Sequence, residues 1–91
     1  MKYEIASTGR FNKEVRQLKK RGYDMAKLGC AVDLLADGVI LPPQYRDHAL
    51  VGNWEGHREC HIAPDWLLIY YIKEEILVLT LTRTGTHSDL F

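Results

Sequence analysis

Eight consecutive residues, Trp66-Leu-Leu-Ile-Tyr-Tyr-Ile-Lys73, constrain this chain most. The run is almost unbroken in apolar and aromatic side chains, and it is too short for a stable helix. It reads as a central strand buried on both faces, because a half-exposed strand alternates polar with apolar. Such a strand needs cover above and below. Two flanking segments supply its neighbours in a sheet. Gly56 to Ile62 reads as the strand before it and Ile76 to Arg83 as the strand after it. Pro64-Asp65 and Lys73-Glu74-Glu75 are the turns, so the three strands form an antiparallel meander.

The cover comes from the first half of the chain. Lys2 to Ala6 reads as a short strand with Tyr3 and Ile5 on one face. Ser7 or Thr8 caps a following helix, in which Phe11, Val15 and Leu18 recur at helical spacing. Gly22 ends it. Asp24 caps a second helix with Met25, Leu28, Val32 and Leu35 as its stripe, and Asp37-Gly38 stops it. The short join makes an antiparallel helical hairpin. Pro42-Pro43 forbids helix, so residues 39–47 are expected to be extended. Thr86-His-Ser-Asp89 fits the capping-box pattern and predicts a last helical turn closing at Phe91. The expected fold is therefore α+β, in the order β-α-α-β-β-β. A helical hairpin packs on one face of a small twisted antiparallel sheet, and the other face is left for a site.

Ninety-one residues suit one domain, residues 1–91, with a modest core. No apolar run approaches the ~20 residues of a membrane span. Met-Lys-Tyr-Glu-Ile lacks an apolar signal region, so the expected location is cytoplasmic. Cys30 and Cys60 have no C-x-x-C spacing and are expected to be reduced packing residues. The net charge of zero hides an asymmetry. Residues 1–30 carry eight Lys/Arg against three Asp/Glu, and residues 31–91 carry four against nine. The basic part can meet phosphates while the whole chain stays neutral.

All four histidines, His48, His57, His61 and His87, lie in the acidic part. On a strand, His57 and His61 stand ~13 Å apart and cannot share an ion. With no H-E-x-x-H and no cysteine cluster, no metal or cofactor is expected. His57 is read as a surface residue. His61 and Asp65 flank one tight turn. Arg83 ends the third meander strand, Gly85 turns the chain, and His87 enters the last helical turn. His48 arrives from the loop before the meander. Together these are the groups for breaking a phosphodiester of RNA. A base takes the 2′-OH proton, an acid protonates the departing 5′-oxygen, and a cation stabilises charge on phosphorus. Histidine titrates near neutrality and serves as either acid or base. Asp65 can act as base or orient a histidine. Trp66 and Phe91 can stack on bases or fill the core.

The motifs Tyr45-Arg-Asp-His-Ala-Leu50, Gly52-Asn-Trp-Glu-Gly56, Arg58-Glu-Cys-His61, Pro64-Asp-Trp-Leu-Leu-Ile-Tyr70 and Arg83-Thr-Gly-Thr-His87, followed by Leu90-Phe91, carry a resemblance. In this order they resemble the RelE/ParE superfamily of bacterial toxin–antitoxin toxins, and within it the YafQ family. The resemblance implies an endoribonuclease that cuts mRNA in the ribosomal A site without metal, leaving a 2′,3′-cyclic phosphate. It implies a cognate antitoxin, DinJ-like and of the ribbon-helix-helix type, and a toxin–antitoxin complex that represses its own operator DNA. It carries over His48, His61, Asp65, Arg83 and His87 as catalytic positions, and Trp66 and Phe91 as substrate-binding positions. Within that set His87 is the candidate acid. Asp65, His48 or His61 is the base, and Arg83 stabilises the phosphorane. The basic helices face ribosomal RNA. Two departures stand out: members are often strongly basic whereas this chain is neutral, and His57 has no expected role. A ParE-like gyrase inhibitor and a non-catalytic relic of the same fold are the alternatives.

Overall fold

The computed structural model describes residues 1–91. The central strand is β4, Trp66–Lys73, with the boundaries the apolar run predicts. Its residues Trp66 to Tyr70 are each at most 2% exposed, so burial on both faces is real. Around it stand β1 (Glu4–Ser7), β2 (His48–Ala49), β3 (Arg58–Ala63) and β5 (Val78–Gly85). The helices are α1 (Gly9–Lys20), α2 (Met25–Ala36) and the single turn α3 (His87–Leu90).

Side chains alternate across a sheet, and here the alternation sorts the cover. Trp66, Leu68 and Tyr70, with Cys60, Leu79 and Leu81, pack against Phe11 and Leu18 of α1 and Leu28 and Leu35 of α2. Leu67 and Ile69 face the other way and are closed off by Leu90 of α3, with Leu50 and Trp54. The helical hairpin thus takes one face. Two short segments near the site plug the other.

Both caps are where the sequence puts them. The Thr8 hydroxyl accepts from Phe11 N at 2.9 Å and donates to Thr82 O at 2.8 Å, so one residue starts α1 and ties it to β5. Asp24 accepts from Ala26 N at 3.0 Å and starts α2. Gly22, at φ 88°, supplies the left-handed residue that ends α1.

Four expectations are corrected. The sheet is mixed, in the order β1-β5-β4-β3-β2, because β1 pairs with β5 in parallel. Strand direction depends on where the helical hairpin returns the chain, which side-chain periodicity does not encode. Tyr3 and Ile5 do not share a buried face. Tyr3 precedes the strand and is buried, with its N–H bonded to Ala36 O and its hydroxyl to Glu74, while Ile5 is exposed. Residues 39–47 are not wholly extended, since Pro43–Tyr45 form a 3-10 turn. A proline is tolerated in a first helical turn, where its missing N–H needs no partner. The flanking strands also start two residues late. Gly56 (φ 86°) and Leu77 (φ 53°) are still turning.

Leu79 is fully buried and Ile40 is almost fully exposed. Leu79→Ala should cost about 2–5 kcal/mol of unfolding free energy. Ile40→Ala should stay within about 0.5 kcal/mol of the parent. Urea unfolding followed by circular dichroism measures both.

Candidate active site

The edge strand β2 is two residues long, yet it fixes one side of the site. His48 stands in register opposite Glu59, and His61 follows Glu59 by two positions along β3. Paired and alternate residues share a face of a sheet. Glu59 Oε1 accordingly lies 3.7 Å from His48 Nε2 and 3.7 Å from His61 Nε2. Glu59 is buried, so this carboxylate sits in a poorly solvated position with an imidazole on either side. The ring centroids of His48 and His61 are 6.5 Å apart, and those of His61 and His87 are 6.0 Å apart. The three imidazoles form a row, with His61 in the middle.

His87 is held from the turn between β3 and β4. Asp65 Oδ1 accepts from the His87 backbone N–H at 3.1 Å and meets His87 Nδ1 at 2.6 Å. A carboxylate only accepts, so Nδ1 carries the hydrogen in this pair and Nε2 is left free. The side-chain hydrogen bond from His87, and then the backbone one, hold the Asp65 carboxyl below its ordinary range. Both effects make Asp65 a firm anchor and a weaker base. This is the division of labour in which an acid orients a histidine and the histidine moves the proton.

Helix α3 presents His87 because its first turn is closed at both ends. Thr86 Oγ1 accepts from Asp89 N, and Asp89 Oδ2 accepts from Thr86 N, a complete capping box. Asp89 also accepts from Arg21 Nη1 at 2.9 Å, which ties α3 to the end of α1. The Thr86 backbone bond and then the Arg21 bond hold the Asp89 carboxyl low as well. Gly85 must be small here, since a Cβ on it would lie 2.8 Å from Asp89 Cβ.

Arg83 is not in contact with the histidine row. Its Nε and Nη2 are spent on Glu14 of α1, at 3.1 and 2.6 Å, with Arg83 and Glu14 almost wholly buried. Glu14 also accepts from Thr84 N at 3.2 Å. Arg83 lines a cavity of about 240 Å³ with Arg10, Lys13 and Arg21 and the acids Glu14 and Asp89, so bases outnumber acids around it. Trp66 is a core residue and does not present its ring for stacking. It is 2% exposed, its Nε1–H donates to Thr84 Oγ1 at 2.9 Å, and Tyr23 packs edge-on against it. Phe91 is exposed and stays available. His57 is not a free surface residue. It wedges between Trp54 and Tyr71, with ring centroids 5.3 and 5.0 Å away. Cys30 is exposed, against expectation. Cys60 is buried, and burial pushes its thiol up to about 12, so it stays an inert thiol.

Two residues here were not anticipated. Glu59 was hidden because its role needs β2 pairing, and two residues after a diproline carry no strand signal. The only hint was period-two spacing of Glu59 and His61. Glu14 was hidden as an acid within the basic stripe of α1.

A helical hairpin on one face of a five-stranded mixed sheet, with a row of imidazoles and an Asp–His pair beside the last helical turn, defines a small RelE-like toxin. The model of the family described as bacterial toxin of type II toxin–antitoxin system, YafQ, matches residues 3–91, and the chain belongs to that family. Among relatives, the mRNA interferase toxin YafQ of Escherichia coli K12 is 42% identical over 89 residues, covering 97% of this chain and 95% of that one. Among solved structures, the E. coli DinJ–YafQ complex superposes with a TM-score of 0.90 at 41% identity, over 98% of both chains. A metal-bound toxin from Helicobacter pylori gives 0.92 at 42% identity, over 98% of this chain and 99% of that one.

A carboxyl whose folded value is depressed stabilises the fold above its unfolded value, and that stability is lost as pH falls through the folded value. Asp65 and Asp89 both belong to this class. Asp65→Asn should therefore flatten the loss of stability below about pH 4. Thermal melting of both proteins from pH 7 to 2.5 tests the sign.

Proposed function

We propose that this chain is the toxin of a type II toxin–antitoxin system and an mRNA interferase. It cuts mRNA in the A site of the 70S ribosome and so inhibits translation. The observation that carries the reading is the Asp65–His87 pair, 2.6 Å apart, at the end of the His48–His61 row.

The chemistry is a transesterification. A base removes the 2′-OH proton, and the 2′-oxygen attacks the adjacent phosphorus. The bond from phosphorus to the 5′-oxygen breaks, leaving a 2′,3′-cyclic phosphate, and an acid gives that oxygen a proton. His87 is the acid. Asp65 accepts from Nδ1–H and so orients the ring, and the doubly protonated imidazolium delivers the proton it carries on Nε2. His61 or His48 is the base, a role the double hydrogen bond from His87 makes less suitable for Asp65. Glu59 turns the Nε2 sides of both imidazoles inward. Arg83 stabilises the phosphorane from a position fixed by Glu14. Phe91 stacks on a base. Trp66 supports the site from the core and does not touch RNA. No metal or cofactor takes part.

The partners follow from the same reading. They are a cognate DinJ-like ribbon-helix-helix antitoxin, the ribosome with its mRNA, and operator DNA bound through the toxin–antitoxin complex. The excess of basic residues in positions 1–30 meets ribosomal RNA, so cleavage weakens steeply with added salt. The expected compartment is the cytoplasm.

Toxin added to programmed ribosomes should give a cut at the A-site codon, mapped by primer extension. His87→Ala should slow the chemical step by about 10²–10⁴-fold, the usual contribution of a general acid. A bell-shaped pH–rate profile should accompany wild-type cleavage. A chelator that spares ribosomal magnesium should change nothing, and the metal-bound H. pylori toxin makes that control worth running. Intact mRNA together with impaired gyrase supercoiling would replace this reading with the ParE-like one.

A further inference from the structure

The Tyr45–Leu50 motif contains an acid, Asp47, that the chemistry above leaves without a task. Asp47 lies directly before His48 and is gripped from two strands. The hydroxyl of Tyr70, buried within β4, donates to Asp47 Oδ1 at 2.5 Å. Arg58 at the start of β3 meets Oδ1 through Nε and Oδ2 through Nη2, each at 3.3 Å. Arg58 and Tyr70 are register partners across β3 and β4, so the two donors are themselves held by the sheet.

The backbone around Asp47 needs such a grip. Arg46 has φ 48°, a left-handed conformation that a residue with a side chain rarely adopts. Its carbonyl oxygen accepts from His48 Nδ1 at 2.7 Å. Edge strand β2 contributes only two register pairs, His48 with Glu59 and Ala49 with Arg58. A two-residue ladder at a sheet edge frays easily, and strained backbone persists only where surrounding contacts over-determine it. Burial and then Asp47 push the Tyr70 hydroxyl well above its ordinary value, so it remains a donor at every working pH.

We propose that Asp47, clamped by Tyr70 and Arg58, is a positioning residue that acts on the reaction only through His48. It pins the Arg46 turn, and the Arg46 carbonyl then fixes the His48 ring with Nδ1 hydrogenated and Nε2 towards Glu59. The inference rests on His48 belonging to the reaction site.

The test combines steady-state cleavage of programmed ribosomes with nitrogen-15 NMR of the histidine rings in the free toxin. Asp47→Ala should lower kcat about tenfold or more and leave KM within about twofold, as expected for a misplaced reacting group. Asp47→Asn, which still offers Tyr70 an acceptor, should fall between. In a His48→Ala background, Asp47→Ala should bring no further loss, because the two residues act as one unit. The His48 ring should show a single Nδ1–H tautomer in the wild type and tautomer averaging in Asp47→Ala. Should Asp47→Ala fail to fold, Tyr70→Phe removes one hydroxyl and should give the same two signatures in weaker form. An equal loss in both backgrounds, an unchanged kcat, or an already averaging wild-type His48 overturns the proposal. Wild-type toxin that leaves mRNA intact while the NMR contrast appears would overturn the functional reading and leave the brace standing.

Discussion

Everything in this molecule is arranged around a strand that has to be dry on both sides. Burying a large apolar side chain is worth about 1.5–3 kcal/mol, and β4 offers five consecutive side chains at or below 2% exposure. One face has the helical hairpin. The other has no full second layer, only Leu50, Trp54 and, on the single turn α3, Leu90. Those three residues come from the segment just after His48 and from the turn that carries His87. The demand for a cover over Leu67 and Ile69 therefore draws two histidine-bearing segments to the same sheet face. The site is a by-product of closing the core.

Carboxylates supply the next level of order. Asp65 anchors His87, Glu59 lies between His48 and His61, and Glu14 holds Arg83. Each acid sits against a group proposed to act on RNA. A chain with zero net charge is thus consistent with phosphate chemistry. Its negative charges are spent locally on orienting imidazoles and arginines, and the basic surface of α1 is left to face outward.

Much of this was legible in the sequence, and the reason is periodicity. The helices, both caps, the β4 boundaries and the capping box of α3 all follow from side-chain spacing and local hydrogen bonding. The site was legible as a list of residue types near turns. What could not be read was pairing. The parallel β1–β5 contact and the Glu14–Arg83 bond join positions far apart in the chain, and the two-residue β2 that sets His48 opposite Glu59 is too short to show a period. Trp66 shows the same limit. An aromatic next to a candidate site residue such as Asp65 reads equally well as a stacking platform or as core, and only the Thr84 bond and the Tyr23 contact decide for core.

The Glu14–Arg83 bond also has a bearing on how such chains can diverge. The partners lie 69 positions apart and are largely but not wholly buried, at the wall of a cavity open to solvent. Losing Glu14 leaves Arg83 among Arg10, Lys13 and Arg21 without its acid, whereas losing Arg83 leaves Glu14 beside those same bases. Replacing Glu14 alone is therefore the less favourable single step, while a paired exchange removes both charges together. The first helix, which looks like interchangeable basic surface, is bound at this one position to the inheritance of the last strand.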